Sequence, residues 1–363
     1  MTSSSAPDQP WFADRVLMRD GTVIPVRATA RRPTWGQLPK GLRQEIETAA
    51  GARVVGNWSA GTGFTPGFAS RLDLADGTRI FVKAASSADD ALHGWPISDA
   101  YREEARKLPH LCAGVGSPPL LWTRSLVVGS DRWIVLGFAY VDGRPPRRPW
   151  RRDQLDRVLA TFVETAPALA RVPAALDLEP LAEHLLARLD WRLQRIRDRD
   201  GDSDWLHTVE RLCADGRELL CGSSVVHMDL RDDNVLIGAD GQVWFVDWNW
   251  PVLGAPWIDV ICLLLSARGD GVDVEPLIAH HPLTRDVSAR AIDCLLATLW
   301  SFWGIARHDA VPIGSPHIRD HQSWYADVTR DWLEERLSPS PAFRFVRVGA
   351  TRNHSAGSDE SDG

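Results

Sequence analysis

Apolar residues recur along this chain in two rhythms, and the change from one to the other divides it. Short β-type stretches at 54–58, 68–74 and 78–84 are separated by glycine-containing turns, and Ala75-Asp76-Gly77 has the composition of a hairpin turn. Helical spacing predicts an element at 42–50 closed by Gly51, and another at 99–111 opened by Ser98, with Glu103 and Glu104 in its first turns. Strands are predicted again at 120–128 and 133–139, which completes an antiparallel sheet. Asp142-Gly143-Arg144-Pro145-Pro146 then joins a flexible residue to two rigid ones, a combination that ends a strand and sets a stiff turn. Beyond it, apolar spacings of three and four predict helices at 155–169, 181–196, 205–220 and 289–306, with a β-containing segment at 225–246.

The expected architecture is therefore α+β in two lobes. A polar extension at 1–33 precedes a small antiparallel β lobe at 34–141, a larger mainly helical lobe at 142–337, and a tail at 338–363. The tail mixes Ser, Pro, Gly and acidic residues and is expected to be disordered. At 363 residues the chain is long enough for a core in each lobe.

Charge and cysteine usage narrow the function classes. A net charge of -7 argues against a dedicated nucleic-acid binder, which needs a basic surface to displace counterions from phosphates. The apolar run at 258–265 is too short to span a bilayer and contains Asp259, and the first ten residues lack the pattern of a secretory signal. Cys112, Cys213, Cys221, Cys262 and Cys294 form no C-x-x-C pair, so buried free thiols in a reducing compartment are expected. The expectation is a cytoplasmic protein with neither nucleic acid nor membrane as partner; the pattern assigns no oligomeric state.

The chemistry-bearing segment is His227-Met228-Asp229-Leu230-Arg231-Asp232-Asp233-Asn234, followed by a predicted hairpin through Asp240-Gly241 that ends at Asp247. Its spacing matches the H-x-D-x-x-x-x-N catalytic loop of phosphoryl transfer, with a second acid about a dozen residues on. In that arrangement Asp229 accepts or orients the proton of an attacking hydroxyl, while Asn234 and Asp247 supply an amide and a carboxylate to Mg2+. Singly these are ordinary turn residues. Jointly, between two apolar strands, they point to a kinase.

On these residues the chain resembles the aminoglycoside phosphotransferase and choline kinase-like family, which has a protein kinase-like fold. The resemblance runs over 34–337 and is most specific at 225–265. It implies ATP, with GTP not excluded, and Mg2+ as cofactors. It further implies that Asp259 braces the catalytic loop and that His227 packs it. Lys83, one of only three lysines, matches the strand lysine that contacts the α- and β-phosphates. Glu104 matches its helix partner, with Glu103 a close second. Gly61 and Gly63, in Gly61-Thr62-Gly63-Phe64-Thr65-Pro66-Gly67, occupy the phosphate-loop position. Phe138 and Tyr140 lie in Phe138-Ala139-Tyr140-Val141, which looks like the hinge whose backbone would bond adenine.

Two departures from protein kinases direct the substrate expectation. Met228 replaces the usual arginine, and the short segment between Asp247 and Asp259 leaves no room for an activation segment. A small hydroxylated acceptor follows: an antibiotic such as an aminoglycoside, or a related metabolite. The alternatives are a housekeeping kinase for an amino alcohol or amino sugar, and a nucleotide-binding scaffold without turnover. Asp232, Asp233, Asp309, Asp320 and Asp327 are candidates for an acidic acceptor pocket. Arg144, Arg147, Arg148, Arg151 and Arg152 would oppose a cation there, or form a solvated face. Trp300, Trp303, Trp324, Tyr325 and Trp332 are candidates for ring stacking, although Trp300 and Trp303 have the spacing of a helix core.

Overall fold

Strand alternation sorts the small sheet's residues between two cores. In this computed structural model, which describes residues 15–17, 23–25 and 29–338 without 94 and 112, the first elements are the paired strands β1 (Arg15–Leu17) and β2 (Val23–Pro25). The expected tail and most of the extension lie outside the described residues. Helix α1 (Lys40–Ala50) ends at Gly51, whose φ of 78° meets the left-handed requirement of a helix C-cap. Strands β3 (Val54–Ser59), β4 (Phe68–Leu74), β5 (Arg79–Ser86), β6 (Leu120–Val128) and β7 (Asp131–Ala139) form one antiparallel sheet in the order β3-β4-β5-β7-β6.

Ile80, Val82 and Ala84 of β5 pack with Leu42 and Ile46 of α1 on one face. Period-two geometry turns the residues between them to the other face, so Lys83 comes to lie opposite α1. There α2 (Ser87–His93) and α3 (Ile97–Lys107) cover the sheet, and Ile97 and Tyr101 join Ile134, Leu136 and Phe138 in the larger core. Helix α3 starts before Ser98, contrary to the expected cap at that residue. Asp90 of α2 instead accepts the Ser98 N–H at 2.7 Å, so the cap comes from a helix the pattern did not reveal. A 3-10 turn, Leu108–His110, replaces the expected last turn of α3.

The rest is mainly helical: β8 (Gly143–Arg144), α4 (Arg152–Leu169), α5 (Leu181–Leu186), α6 (Leu189–Asp200), α7 (Asp204–Leu219), β9 (Ser224–Val226), β10 (Val235–Gly238), β11 (Val243–Phe245), β12 (Val252–Gly254), α8 (Ile258–Gly269), α9 (Glu275–His280), α10 (Ala289–Ala306) and α11 (Ile318–Leu337). The helix expected over 181–196 is two helices. Arg188 adopts φ 61° between them, and the Arg192 guanidinium donates to the carbonyls freed there, Leu185 and Ala187. Helix α8 is buried all round from Ile258 to Ala267, as a helix through the middle of a lobe must be. Trp324, Tyr325, Trp332 and Leu333 of α11 are buried, and Trp300 meets Trp205 edge to face at 5.3 Å. These aromatics are core, not a stacking surface. Cys213, Cys262 and Cys294 are buried as expected, but Cys221 is exposed; Cys112 lies outside the described residues. Among the described residues no helix is long and apolar enough to cross a membrane.

Candidate active site

The loop after β9 takes its shape from Asp259 in the first turn of α8. Its buried carboxylate accepts the backbone N–H of His227 at 2.7 Å and that of Met228 at 3.0 Å. Met228 is held at φ 69°, a conformation a non-glycine residue keeps only when its surroundings impose it. Burial raises the Asp259 pKa to about 6 against the pull of those two N–H groups. The His227 Nε2–H donates to the carbonyl of Val246 at 3.0 Å and its ring packs on Trp248 at 4.5 Å. Its Nδ1 is buried without a partner, and burial lowers the ring's pKa to about 4, so the imidazole is neutral.

Asp229 and Asn234 stand at the two ends of a short turn. Asn234 Nδ2 donates to the Asp229 carbonyl at 2.7 Å, which leaves its Oδ1 for a cation. The Asp229 carboxylate remains one-third exposed at 33%, yet loss of surrounding water raises its pKa to about 6, while Arg231 pulls the other way. Arg231 pairs with Asp229 through Nη1 and with Asp233 through Nε at 2.9 Å and Nη2 at 3.1 Å. In the β10–β11 hairpin Val235 stands opposite Phe245, and the Val246 N–H bonds the Asn234 carbonyl at 2.9 Å. That register brings Asn234 within one residue of Asp247.

Asp247, at φ 70°, meets the small sheet. Lys83 Nζ donates to its Oδ1 at 2.6 Å and to the Glu104 carboxylate at 2.7 and 2.9 Å. Burial opposes the Lys83 ammonium, but the two carboxylates outweigh it and hold its pKa above the usual lysine value. Burial raises the pKa of Glu104, whereas Lys83 overrides burial at Asp247 and keeps it below the usual carboxylate range. Glu104 also accepts the Trp248 N–H at 3.2 Å, and Asn249 Nδ2 donates to Asp247 Oδ1 at 2.9 Å. Glu103 points its charge to Arg106 and Lys107 instead, so Glu104 is the partner of Lys83.

Gly61 and Gly63 lie in the loop between β3 and β4, with Gly63 at φ 77°. The tip of this loop reaches the helical part: Ser315 Oγ–H bonds the Phe64 carbonyl, and the Phe64 ring packs on His321 at 4.3 Å. Phe138 lies below the Lys83 ammonium, 5.7 Å from its ring centre. Tyr140 sits apart from that cluster, flanked by the guanidiniums of Arg71 at 5.5 Å and Arg79 at 5.0 Å. The Ala139 N–H between them is committed to the Pro119 carbonyl at 2.9 Å. A cavity of about 730 Å3 lined by Gly116, Arg157, Glu164 and Gln242 contains none of these site residues.

Two expectations about charge are corrected. Arg148 is buried, not part of a solvated face: it pairs with Asp232 at 2.9 Å and with Asp270 at 2.6 Å. Asp232 is thereby a framework residue. The other aspartates proposed for an acceptor pocket also lie beside cations or histidine: Asp233 by Arg231, Asp327 by Arg307 at 2.8 Å, Asp309 by Arg195 at 3.7 Å and Asp320 by His317 at 3.6 Å. Arg151 and Arg152 do form exposed pairs, with Asp153 and Asp156. The sequence pattern does not mark Arg231 and Asn249 as site residues; their offsets of two from Asp229 and Asp247 are the available signal.

Residues 89–287 match the model of the APH phosphotransferase enzyme family. The chain belongs to that family. It is a small-molecule phosphotransferase with the family's two-lobed kinase-like fold. Among solved structures it is similar to the amicoumacin kinase hAmiN in complex with AMP-PNP, Ca2+ and Ami, at 10% identity and TM-score 0.52, covering 82% of this chain and 94% of that one. It is also similar to a thermostable mutant of aminoglycoside phosphotransferase APH(4)-Ia with ADP and hygromycin B, at 14% identity and TM-score 0.53, covering 83% and 100%. A third is choline kinase LicA from Streptococcus pneumoniae, at 14% identity and TM-score 0.51, covering 82% and 98%. At these identities the likeness is one of fold. No curated protein matches the chain significantly.

Proposed function

We propose that this protein transfers the γ-phosphate of ATP to a hydroxyl of a small molecule, an antibiotic such as an aminoglycoside or a related metabolite. The observation that carries the reading is the array Glu104–Lys83–Asp247, which ties the small sheet to the segment holding Asn234 and Asp229. In this reading the small lobe at 34–141 holds the nucleotide and the lobe at 142–337 holds the acceptor, in a cytoplasmic protein.

Lys83 neutralises the α- and β-phosphates, Gly61 and Gly63 let the loop backbone approach them, and the stretch around Phe138 and Tyr140 receives adenine. Asn234 Oδ1 and the Asp247 oxygen not engaged by Lys83 and Asn249 are hard donors that suit Mg2+. Among the described residues no three His, Cys, Asp or Glu side chains converge as a metal site, so phosphate oxygens and water would complete the shell. When bound, Mg2+ neutralises phosphate charge. Asp229 takes the proton from the acceptor hydroxyl as its oxygen forms a bond to the γ-phosphorus. The bond from phosphorus to the bridging oxygen breaks, and ADP leaves with that electron pair. Asp259 and His227 hold the loop in place while this happens.

A second reading, a housekeeping kinase for an amino alcohol or amino sugar, gains weight from the paired aspartates, because a polycation then finds less free negative charge. The test is a panel of aminoglycosides, other antibiotics, amino alcohols and amino sugars, assayed for acceptor-stimulated ADP release with and without Mg2+, and with GTP in place of ATP. Stimulation by one class names the acceptor. Nucleotide binding with a flat response across the panel would favour the non-catalytic scaffold.

A further inference from the structure

Arg32, ahead of α1, reaches beneath the glycine-rich loop. Its Nη1 donates to the Ala60 carbonyl at 3.0 Å, and its Nη2 to the carbonyls of Thr62 at 2.8 Å and Gly63 at 3.1 Å. The same segment is fixed both to the loop and to the helical part. Thr29 Oγ1–H bonds the Gly63 carbonyl at 2.5 Å, and the Arg31 N–H bonds the Gly314 carbonyl at 2.8 Å.

The Arg32 guanidinium has no carboxylate within ion-pair distance among the described residues, and its Nε–H is buried without a partner. Carbonyl dipoles return only part of the hydration that a half-buried cation loses; an anion would return the rest. Burial lowers its pKa, with Tyr101, Asp247 and Asp233 pulling back through space. The loop tip above it also overlies the catalytic segment, since the Arg231 guanidinium stands 6.0 Å from the Phe64 ring centre. Arg32 thus holds the loop whose tip overlies the catalytic segment, whereas Lys83 is engaged by Asp247 and Glu104.

We propose that Arg32 is a further phosphate-contacting residue, which pairs its unpartnered Nε–H and a terminal N–H with an oxygen of the nucleotide's terminal phosphate. This rests on the nucleotide-dependent reading above. A guanidinium suits the task because its fork presents parallel donors to a phosphate edge. The arginine also couples loop position to phosphate occupancy: the N–H parallel to Nε–H belongs to Nη2, which exchanges the Thr62 or Gly63 carbonyl for the phosphate, while Nη1 remains on the Ala60 carbonyl.

The experiment measures binding of ADP and of a non-hydrolysable ATP analogue, each with Mg2+, to wild type, Arg32→Ala, Arg32→Lys and Thr29→Val by calorimetry. Arg32→Ala is expected to weaken the triphosphate analogue about 10-fold or more and ADP less than about 3-fold, the loss of a charge-assisted contact to one phosphate. Arg32→Lys, which keeps the charge and loses the fork, recovers part of the difference and carries the test if the alanine variant does not fold. Thr29→Val releases the loop tether and leaves the ratio of the two affinities unchanged. Equal losses for both nucleotides, unchanged binding, or tighter triphosphate binding on removal of Arg32 would each overturn the proposal; the last would make the arginine a plug that nucleotide displaces. A wild type that binds neither nucleotide would overturn the functional reading itself.

Discussion

Replacing Asp259 by alanine strands two backbone donors, the buried N–H of His227 and the part-buried N–H of Met228, which its carboxylate accepts at 2.7 and 3.0 Å. Hydrogen bonds to a charged acceptor contribute about 1.5–3 kcal/mol each, so two lost together cost about 3–6 kcal/mol before relaxation. Relaxation has an obvious route. Met228 at φ 69° is strained, and release toward ordinary backbone returns about 1–3 kcal/mol of that cost. The same release carries Asp229 out of register with Asn234 and Asp247. Urea unfolding followed by circular dichroism reads the stability loss as a shift in midpoint at unchanged slope, and acceptor-stimulated ADP release reads the misplacement as at least about a hundredfold loss of turnover. Asp259→Asn keeps the shape but offers one carbonyl oxygen to two donors, and it should fall between wild type and alanine on both scales. An Asp259→Ala protein within about 0.5 kcal/mol of wild type and normally active would refute the idea that this carboxylate shapes the loop.

Three further outcomes follow from the same geometry. A base must be ionised to take a proton, so with Asp229 raised to about 6, kcat/KM should fall as pH drops below about 6; Arg231→Gln, which removes the cation that lowers Asp229, should move this acid limb to higher pH. A limb that stays put in the variant would separate Arg231 from the base. Asp247→Asn should abolish the Mg2+ dependence of nucleotide binding by calorimetry, and an unchanged Mg2+ effect would remove Asp247 from the metal site. Glu104→Ala leaves Lys83 with one carboxylate and orphans the Trp248 N–H, so a stability loss of about 3–5 kcal/mol is expected by urea unfolding, and a change below about 1 kcal/mol would contradict the array's role.

Much of this arrangement was legible in the sequence because local chemistry and tertiary contacts agree there. Gly51 and Gly77 do adopt the left-handed backbone their turns require, and strict alternation in β5 is what carries Lys83 to the face opposite α1. The catalytic octapeptide was readable because its spacing is fixed by one turn and one hairpin register. What escaped depended on partners far along the chain. Nothing local shows that Arg188 would break a continuous apolar period, since the freed carbonyls are met by Arg192 from the next helix. Helix α11 was hidden because its buried Trp324, Tyr325, Trp332 and Leu333 alternate with a heavily charged face, and the aromatics invited a ligand-stacking interpretation. Arg148 and Asp232 are 84 positions apart, and only the fold reveals that they neutralise each other in the interior. Arg32 lay in a stretch with no motif at all.

The account stands most directly on the acid that faces the acceptor. Asp229→Asn preserves shape and the backbone carbonyl that Asn234 holds, while removing the capacity to accept a proton. With an acceptor identified from the panel, single-turnover phosphoryl transfer should fall about 10²–10⁴-fold, with calorimetric binding of Mg2+ and the ATP analogue within about twofold of wild type. Transfer at the wild-type rate, or loss of nucleotide binding together with transfer, would contradict it.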